Sequence, residues 1–160
     1  MKILLAIDGS PCSGAAVNEV VNRPWPVGSE IRIVSAYEVP LSPTPESWAV
    51  SAEYFDQMER VSREQAQRVV NAAAYKIQIA PNQSAVVTTA VLVGSPRSSI
   101  LEDSESWQAD LIVVGSHGYN PWQRLLLGSV SQALVSHARC SVEVVRCARA
   151  SGSGKVVKAA

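Results

Sequence analysis

Two short runs, Leu4–Ile7 and Leu111–Val114, are apolar at every position instead of at alternate ones. A strand with water on one face alternates; one covered by helices on both faces does not, and such strands belong to parallel sheets. Further apolar runs of strand length stand at Ile31–Tyr37, Val86–Val93 and Val142–Val145, the first run extends back to Ile3, and segments of helical pattern separate them all. The repeated order strand, helix, strand predicts a single-domain α/β fold: a doubly wound, five-stranded parallel sheet with helices on both faces. The two uninterrupted runs should lie at its centre.

The first helix is expected over Ser13–Arg23, with Val17, Val20 and Val21 inward and Pro24 ending it. A stiff loop over Pro40–Pro45 precedes a long helix from Tyr54 to Ile77, whose stripe reads Phe55, Met58, Ala66, Val69, Ala73 and Ile77. A third begins near Pro96 with Ile100 and Leu101 as its apolar face. A fourth follows Gly128, with Val130, Leu134 and Ala138 aligned and Ser129 or Ser131 as its cap. The domain is expected over 1–148, and 149–160, rich in small residues and without aromatic anchors, as a flexible tail.

A chain of 160 residues is long enough to bury roughly 70% of the surface its unfolded form exposes, so the core needs no staple. Fourteen basic residues balance fourteen acidic ones, and no basic run stands out. Nucleic acid and anionic membranes are therefore not expected partners. The start, Met1–Ile7, resembles a signal sequence, but Asp8 interrupts it too early for a signal or a membrane span. Cys12, Cys140 and Cys147 are odd in number and lack metal-ligand spacing, which points to reduced thiols and a cytoplasmic location.

Chemistry concentrates at two strand ends. The fourth strand runs into Gly115-Ser-His-Gly118, and Gly128-Ser129 follows after nine residues. Backbone without a Cβ can take positive φ and lets a phosphate approach its N–H groups, and the helix beginning after Gly128 turns its N-terminus to the same ligand. The first strand ends in Asp8-Gly9-Ser10. In a doubly wound sheet ligands sit outside the strand carboxyl ends where the winding reverses, so the two signals converge on one crevice. There Asp8 would accept hydrogen bonds from a ribose hydroxyl or an adenine amine. Arg124 is placed either to reach terminal phosphates or on a solvated face. His117 is a candidate nucleotide contact beside the phosphates, but it has no metal-spaced companion, and a metal or catalytic role is not expected of it. Cys12, near the start of the first helix, where a helix N-terminus lowers a thiol's pKa, suits redox sensing, but it reads better as a small, partly buried thiol. Glu143, interrupting the last apolar run, suits a guarded edge strand or one that pairs with its symmetry mate.

The stretches Ile3–Ser10, Val93–Pro96, Asp110–Gly118, Leu126–Ser131 and Cys140–Arg146 together resemble the universal stress protein family, in its ATP-binding subfamily. The family's nucleotide motif, Gly-x2-Gly-x9-Gly-Ser/Thr, is present in full. The resemblance implies a Rossmann-like fold of the adenine nucleotide alpha hydrolase type with strand order 3-2-1-4-5. It also implies ATP, with or without Mg2+, with adenine and ribose near Asp8 and Ala36. Val114, Gly115, Gly118, Gly128, Ser129, Val130 and Ser131 would line the ribose and phosphates. A homodimer through Val142, Glu143, Val144 and Val145 is implied as well. Ala36 and Tyr37 stand where branched aliphatics are usual, and Ser141 where many members have proline.

The expected function is nucleotide-dependent regulation in a stress response. Efficient catalysis is not expected: Gly-x4-Gly-Lys-Ser/Thr is missing, as is Gly-x-Gly-x-x-Gly after the first strand. Adenylyl-transferring relatives carry His-x-Gly-His or Ser-Gly-Gly-x-Asp-Ser type loops where this chain has Asp8-Gly-Ser-Pro-Cys12. Slow hydrolysis or self-phosphorylation at Ser129 or Ser131 stays open, as does a nucleotide-free interaction scaffold.

Overall fold

A computed structural model describes residues 1–39, 52–81, 84–118 and 127–147. Strands β1 (Lys2–Ala6), β2 (Glu30–Tyr37), β3 (Val86–Val93), β4 (Leu111–Gly115) and β5 (Ser141–Val145) alternate with helices α1 (Pro11–Asn22), α2 (Ala52–Gln78), α3 (Pro96–Ser106) and α4 (Ser129–His137). Every strand pair is parallel, and the sheet runs β3-β2-β1-β4-β5. The expected sheet and its order are thus the observed ones, and the two continuously apolar runs sit at the centre, Leu4, Leu5, Ile112 and Val113 fully shielded from solvent.

Alternation along each strand feeds two cores. Ile3, Leu5, Ile31, Ile33 and Val113 face α1 and α2, meeting Ala16, Val20, Val70 and Ile77. Leu4, Ala6, Val34, Ile112 and Val114 face α3 and α4, meeting Ile100 and Leu134. At about 1.5–3 kcal/mol for each large aliphatic side chain buried, these two layers supply the main driving force of the fold.

Local chemistry sets the helix ends. Ser10, in extended geometry, caps α1 by accepting from Ser13 N, and Pro11 occupies the first turn, where a missing N–H costs nothing. That starts the helix two residues before the expected Ser13. Arg23 is the C-cap and stands outside it. Helix α2 departs more. Ala66, Ala73 and Ile77 are buried as expected and Val69 is half-buried, but Val70 and Ala74 join them. Met58 is 40% exposed and Phe55 only half-buried. At 27 residues the helix is about 40 Å long, whereas the eight-residue strand β2 spans about 26 Å. Its first turns overshoot the sheet.

The thiol expectation needs correcting. Cys12, buried in α1, and Cys147, just past β5, form a disulfide with Cα atoms 4.7 Å apart and 135 positions between them in sequence. Cys140 is the free thiol among the described residues, and burial raises its pKa. Glu143 lies on an edge strand as expected, and its carboxylate also takes two hydrogen bonds from Arg23, at 2.7 and 2.8 Å, joining that strand to the end of α1. Residues 149–160, expected to be a tail, lie outside the described residues.

Candidate nucleotide site

The centre of the sheet creates the site. From β1 the chain crosses to β2 on one side, while β4 pairs on the other, so β1 and β4 flank the reversal of winding. Ala6 is level with both Val34 and Val114. Carrying that register two residues on brings Asp8 level with Ala36 and Ser116.

The Asp8-Gly9-Ser10 turn is held by its own side chains. Asp8 Oδ1 accepts from Ser10 N at 2.9 Å, the short-range bond by which aspartate builds turns. Gly9 has φ 87°, a left-handed conformation that suits only a residue without Cβ. Gly9 N donates to Ser13 Oγ at 3.0 Å, and Ser10 Oγ donates to His117 O at 3.3 Å. The loop after β1 is thereby tied to the loop after β4.

The three glycines of the motif serve three different purposes, and none of them has positive φ. A Cβ on Gly115 would lie 2.6–2.8 Å from main-chain atoms of Cys12 and Ser13. Gly115 is therefore required by the close crossing of α1 over β4, a packing role that stands beside the phosphate approach expected of it. A Cβ on Gly118 would lie 2.7 Å from Asp8 Oδ2, so Gly118 leaves room for that carboxylate. A Cβ on Gly128 would press on Ser116 O and His117 Cα at 3.2 and 3.3 Å. There the start of α4 is drawn onto the loop, and Gly128 N donates to Ser116 O at 2.8 Å.

Ser116, which carries no expectation from the sequence, is the node of the site. Buried at 4% exposure, it donates its N–H to Val145 O at 2.8 Å, and its carbonyl receives Gly128 N. Ser131 Oγ lies 3.0 Å from that same carbonyl and 2.9 Å from Gly128 O, sharing its one proton between them. His117 Nδ1 is 3.2 Å from Ser116 Oγ. Ser116's position between two motif residues was the only signal of this in the sequence.

The N-termini of α1 and α4 differ. Helix α1 carries a serine cap, whereas α4 has Gly128 as N-cap and no side-chain cap bond. Neither Ser129 nor Ser131 caps it, contrary to expectation, because Ser131 is turned inward to the loop carbonyls. First-turn amides have no partner within a helix, and those of Ser129, Val130 and Ser131 have no side-chain cap among the described residues. Ser129 is exposed, Val130 half-buried and Ser131 buried. Ala36 is half-buried on the α3 and α4 face, while Asp8 is exposed on the rim. Arg124 lies outside the described residues. Among the described residues no cluster of three or more His, Cys, Asp or Glu side chains is arranged to hold a metal. No helix there is long and apolar enough to cross a membrane.

A model of the Universal stress protein family matches residues 1–146. The chain belongs to the universal stress protein family. Among family relatives, a universal stress protein of Methanocaldococcus jannaschii is 29% identical over 150 residues, covering 91% of this chain and 81% of that protein. A candidate family member from Staphylococcus aureus is 35% identical over 147 residues, covering 91% and 83%. The solved universal stress protein UspA of Lactobacillus plantarum superposes with a TM-score of 0.64 at 25% identity, over 91% of this chain and 97% of that one. Two more distant universal stress proteins share the fold and were solved with ligands. One is in complex with cAMP (TM-score 0.62, 21% identity, 92% and 98% covered). The other, from Arabidopsis thaliana, has AMP bound (TM-score 0.61, 17% identity, 93% and 93% covered).

Proposed function

We propose that this universal stress protein binds an adenine nucleotide, ATP in the first instance, across the β1–β4 crevice and acts as a nucleotide-dependent regulator in a stress response. The observation that carries this reading is the α4 N-terminus: a helix of nine residues whose first-turn amides lack a side-chain cap and open beside the loop after β4. Helix dipole and free N–H groups together favour an anion there. Asp8, on the facing rim, accepts from ribose or adenine, with Ala36 forming the apolar floor beneath. Gly9, Ser10 and His117 shape the walls, and Arg124 is the cation proposed to reach the terminal phosphates. Mg2+, where it accompanies ATP, takes hard oxygen ligands from the phosphates. The cAMP and AMP complexes of family members support the adenine preference and leave the number of phosphates to experiment.

The test is equilibrium dialysis against ATP, AMP and cAMP, with mass spectrometry of the denatured protein for carried-over nucleotide. We expect uptake of one adenine nucleotide per chain. Gly128→Glu sets bulk and like charge before the amides and is expected to abolish binding while circular dichroism stays native. Uptake by the folded variant would overturn the site.

Self-phosphorylation is favoured by one observation alone, the exposed hydroxyl of Ser129 at the first position of α4. Ser131, 2% exposed and bonded to carbonyls, is unsuited to it. Incubation with labelled ATP should then label wild type but not Ser129→Ala. The proposed homodimer pairs the open edge of β5 with its mate, a cytoplasmic protein twice the chain mass in sedimentation equilibrium; a monomer at 100 times the working concentration overturns it.

A further inference from the structure

We propose that Cys12 and Cys147 are a reversible dithiol–disulfide site that sets how tightly the nucleotide cradle holds its ligand; the ligand half of this rests on the reading above. Both ends of the bond lead to Ser116. Ser116 Oγ donates toward Cys12 Sγ at 3.8 Å, and Val145, two residues before Cys147, accepts from Ser116 N at 2.8 Å. The main chain of Cys12 also lies directly under Gly115. Cys12, Ser116, Val145 and Cys147 thus close a ring through the covalent bond, and Ser116 in turn carries the start of α4 on its carbonyl. With the bond closed, loop and helix start are pinned in one arrangement. With it open, residue 147 is released and Ser116 keeps only hydrogen bonds.

The two sulfurs are not equivalent. Cys147 is half-exposed, whereas Cys12 is 6% exposed and sits in the first turn of α1. A thiolate of an external dithiol therefore attacks Cys147 Sγ and forms a mixed disulfide. The Cys12–Cys147 bond breaks, and its electron pair leaves on Cys12, where the α1 amides and the Ser116 hydroxyl stabilise the thiolate. The reductant's second thiol then displaces Cys147. The products are two protein thiols and one oxidised dithiol, two electrons having passed to the protein. Re-oxidation by an oxidised dithiol reverses the steps: the Cys147 thiolate opens the reagent's disulfide to form the mixed disulfide, and the Cys12 thiolate then attacks Cys147 Sγ and expels the reagent as its dithiol. In a reducing compartment a disulfide of this kind is a transient sensor and not a staple.

Pre-organisation favours the oxidised form for binding. The expected difference in ATP dissociation constant is about fivefold or more, the lower end of common site-to-site coupling. By reciprocity, ATP shifts the thiol–disulfide equilibrium toward the bonded form by the same factor.

Three measurements decide it. After equilibration with oxidised glutathione, alkylation and peptide mass spectrometry should find Cys12 linked to Cys147 and only Cys140 alkylated; dithiothreitol should expose all three. Three alkylated cysteines before reduction overturn the pair. Calorimetric titration with ATP should give tighter binding to the oxidised than to the reduced wild-type chain. In a Cys140→Ser background, Cys147→Ser should behave as the reduced form whether or not dithiothreitol is present. Equal affinity in both wild-type forms overturns the coupling and leaves the nucleotide reading standing. Binding in neither form overturns the nucleotide reading and the coupling with it, while the alkylation result still decides the disulfide.

Discussion

At the scale of single residues, the motif glycines separate by what their missing Cβ would strike. Gly115→Ala meets backbone that cannot move aside, so overpacking of about 1–3 kcal/mol should appear as a lower urea midpoint with an unchanged slope. Gly118→Ala meets only the flexible end of Asp8 and should leave the midpoint close to wild type. Asp8 has two functions that substitution can separate. Asp8→Asn keeps an oxygen for Ser10 N and removes the charge, so the turn survives. The loss of a charge-assisted bond to ribose or adenine, about 1–3 kcal/mol, should raise the ATP dissociation constant about 5- to 150-fold in calorimetry. The place of Asp8 in the turn after β1 was legible in the sequence because it follows a wholly apolar strand. The reason for Gly115 was not, because the backbone it must accommodate is more than a hundred positions away.

At the scale of elements, strands and helix starts were readable wherever the signal was local. Wholly apolar runs marked the central strands, whereas α1 was expected from Ser13, two residues after the start that Ser10 as cap and Pro11 in the first turn give it. Contacts between elements left no such trace. Glu143 in an apolar strand read as a guard of the edge, yet its partner Arg23 ends a helix far away in sequence. Hydrogen bonds that Arg23 donates to Glu143 and then to Glu19 are the chief causes holding its guanidinium pKa above its ordinary value. A base held in this way contributes its stability below its unfolded pKa and loses it only as pH rises through the higher folded value. Glu143→Ala should therefore cost about 1 kcal/mol throughout the neutral range, flat with pH up to strong alkali. Because both side chains retain some exposure, at 35% and 28%, the loss should shrink in high salt. Denaturant melts at two pH values and two salt concentrations check all of this.

At the scale of the whole molecule, the cradle draws on three separate stretches, 8–10, 115–118 and 128–131, so it belongs to the folded state alone. A ligand bound only by that state adds stability by mass action, about 2.7 kcal/mol at a hundredfold excess over its dissociation constant. ATP should raise the wild-type melting temperature by several degrees, and Gly128→Glu should show no shift. The sheet and its order were legible from apolar patterning plus the winding rule, because topology of this kind follows from chain order. The Cys12–Cys147 bond was not, since cysteine count and spacing carry no information about which strand ends meet.

The bond from Ser116 N to Val145 O also has a bearing on biosynthesis. Because the loop after β4 is anchored to the last strand of the sheet, a growing polypeptide still missing that strand emerges from the ribosome without the bond that holds this loop. Whatever ligand the proposed site takes would therefore bind only a chain whose fifth strand is already in place.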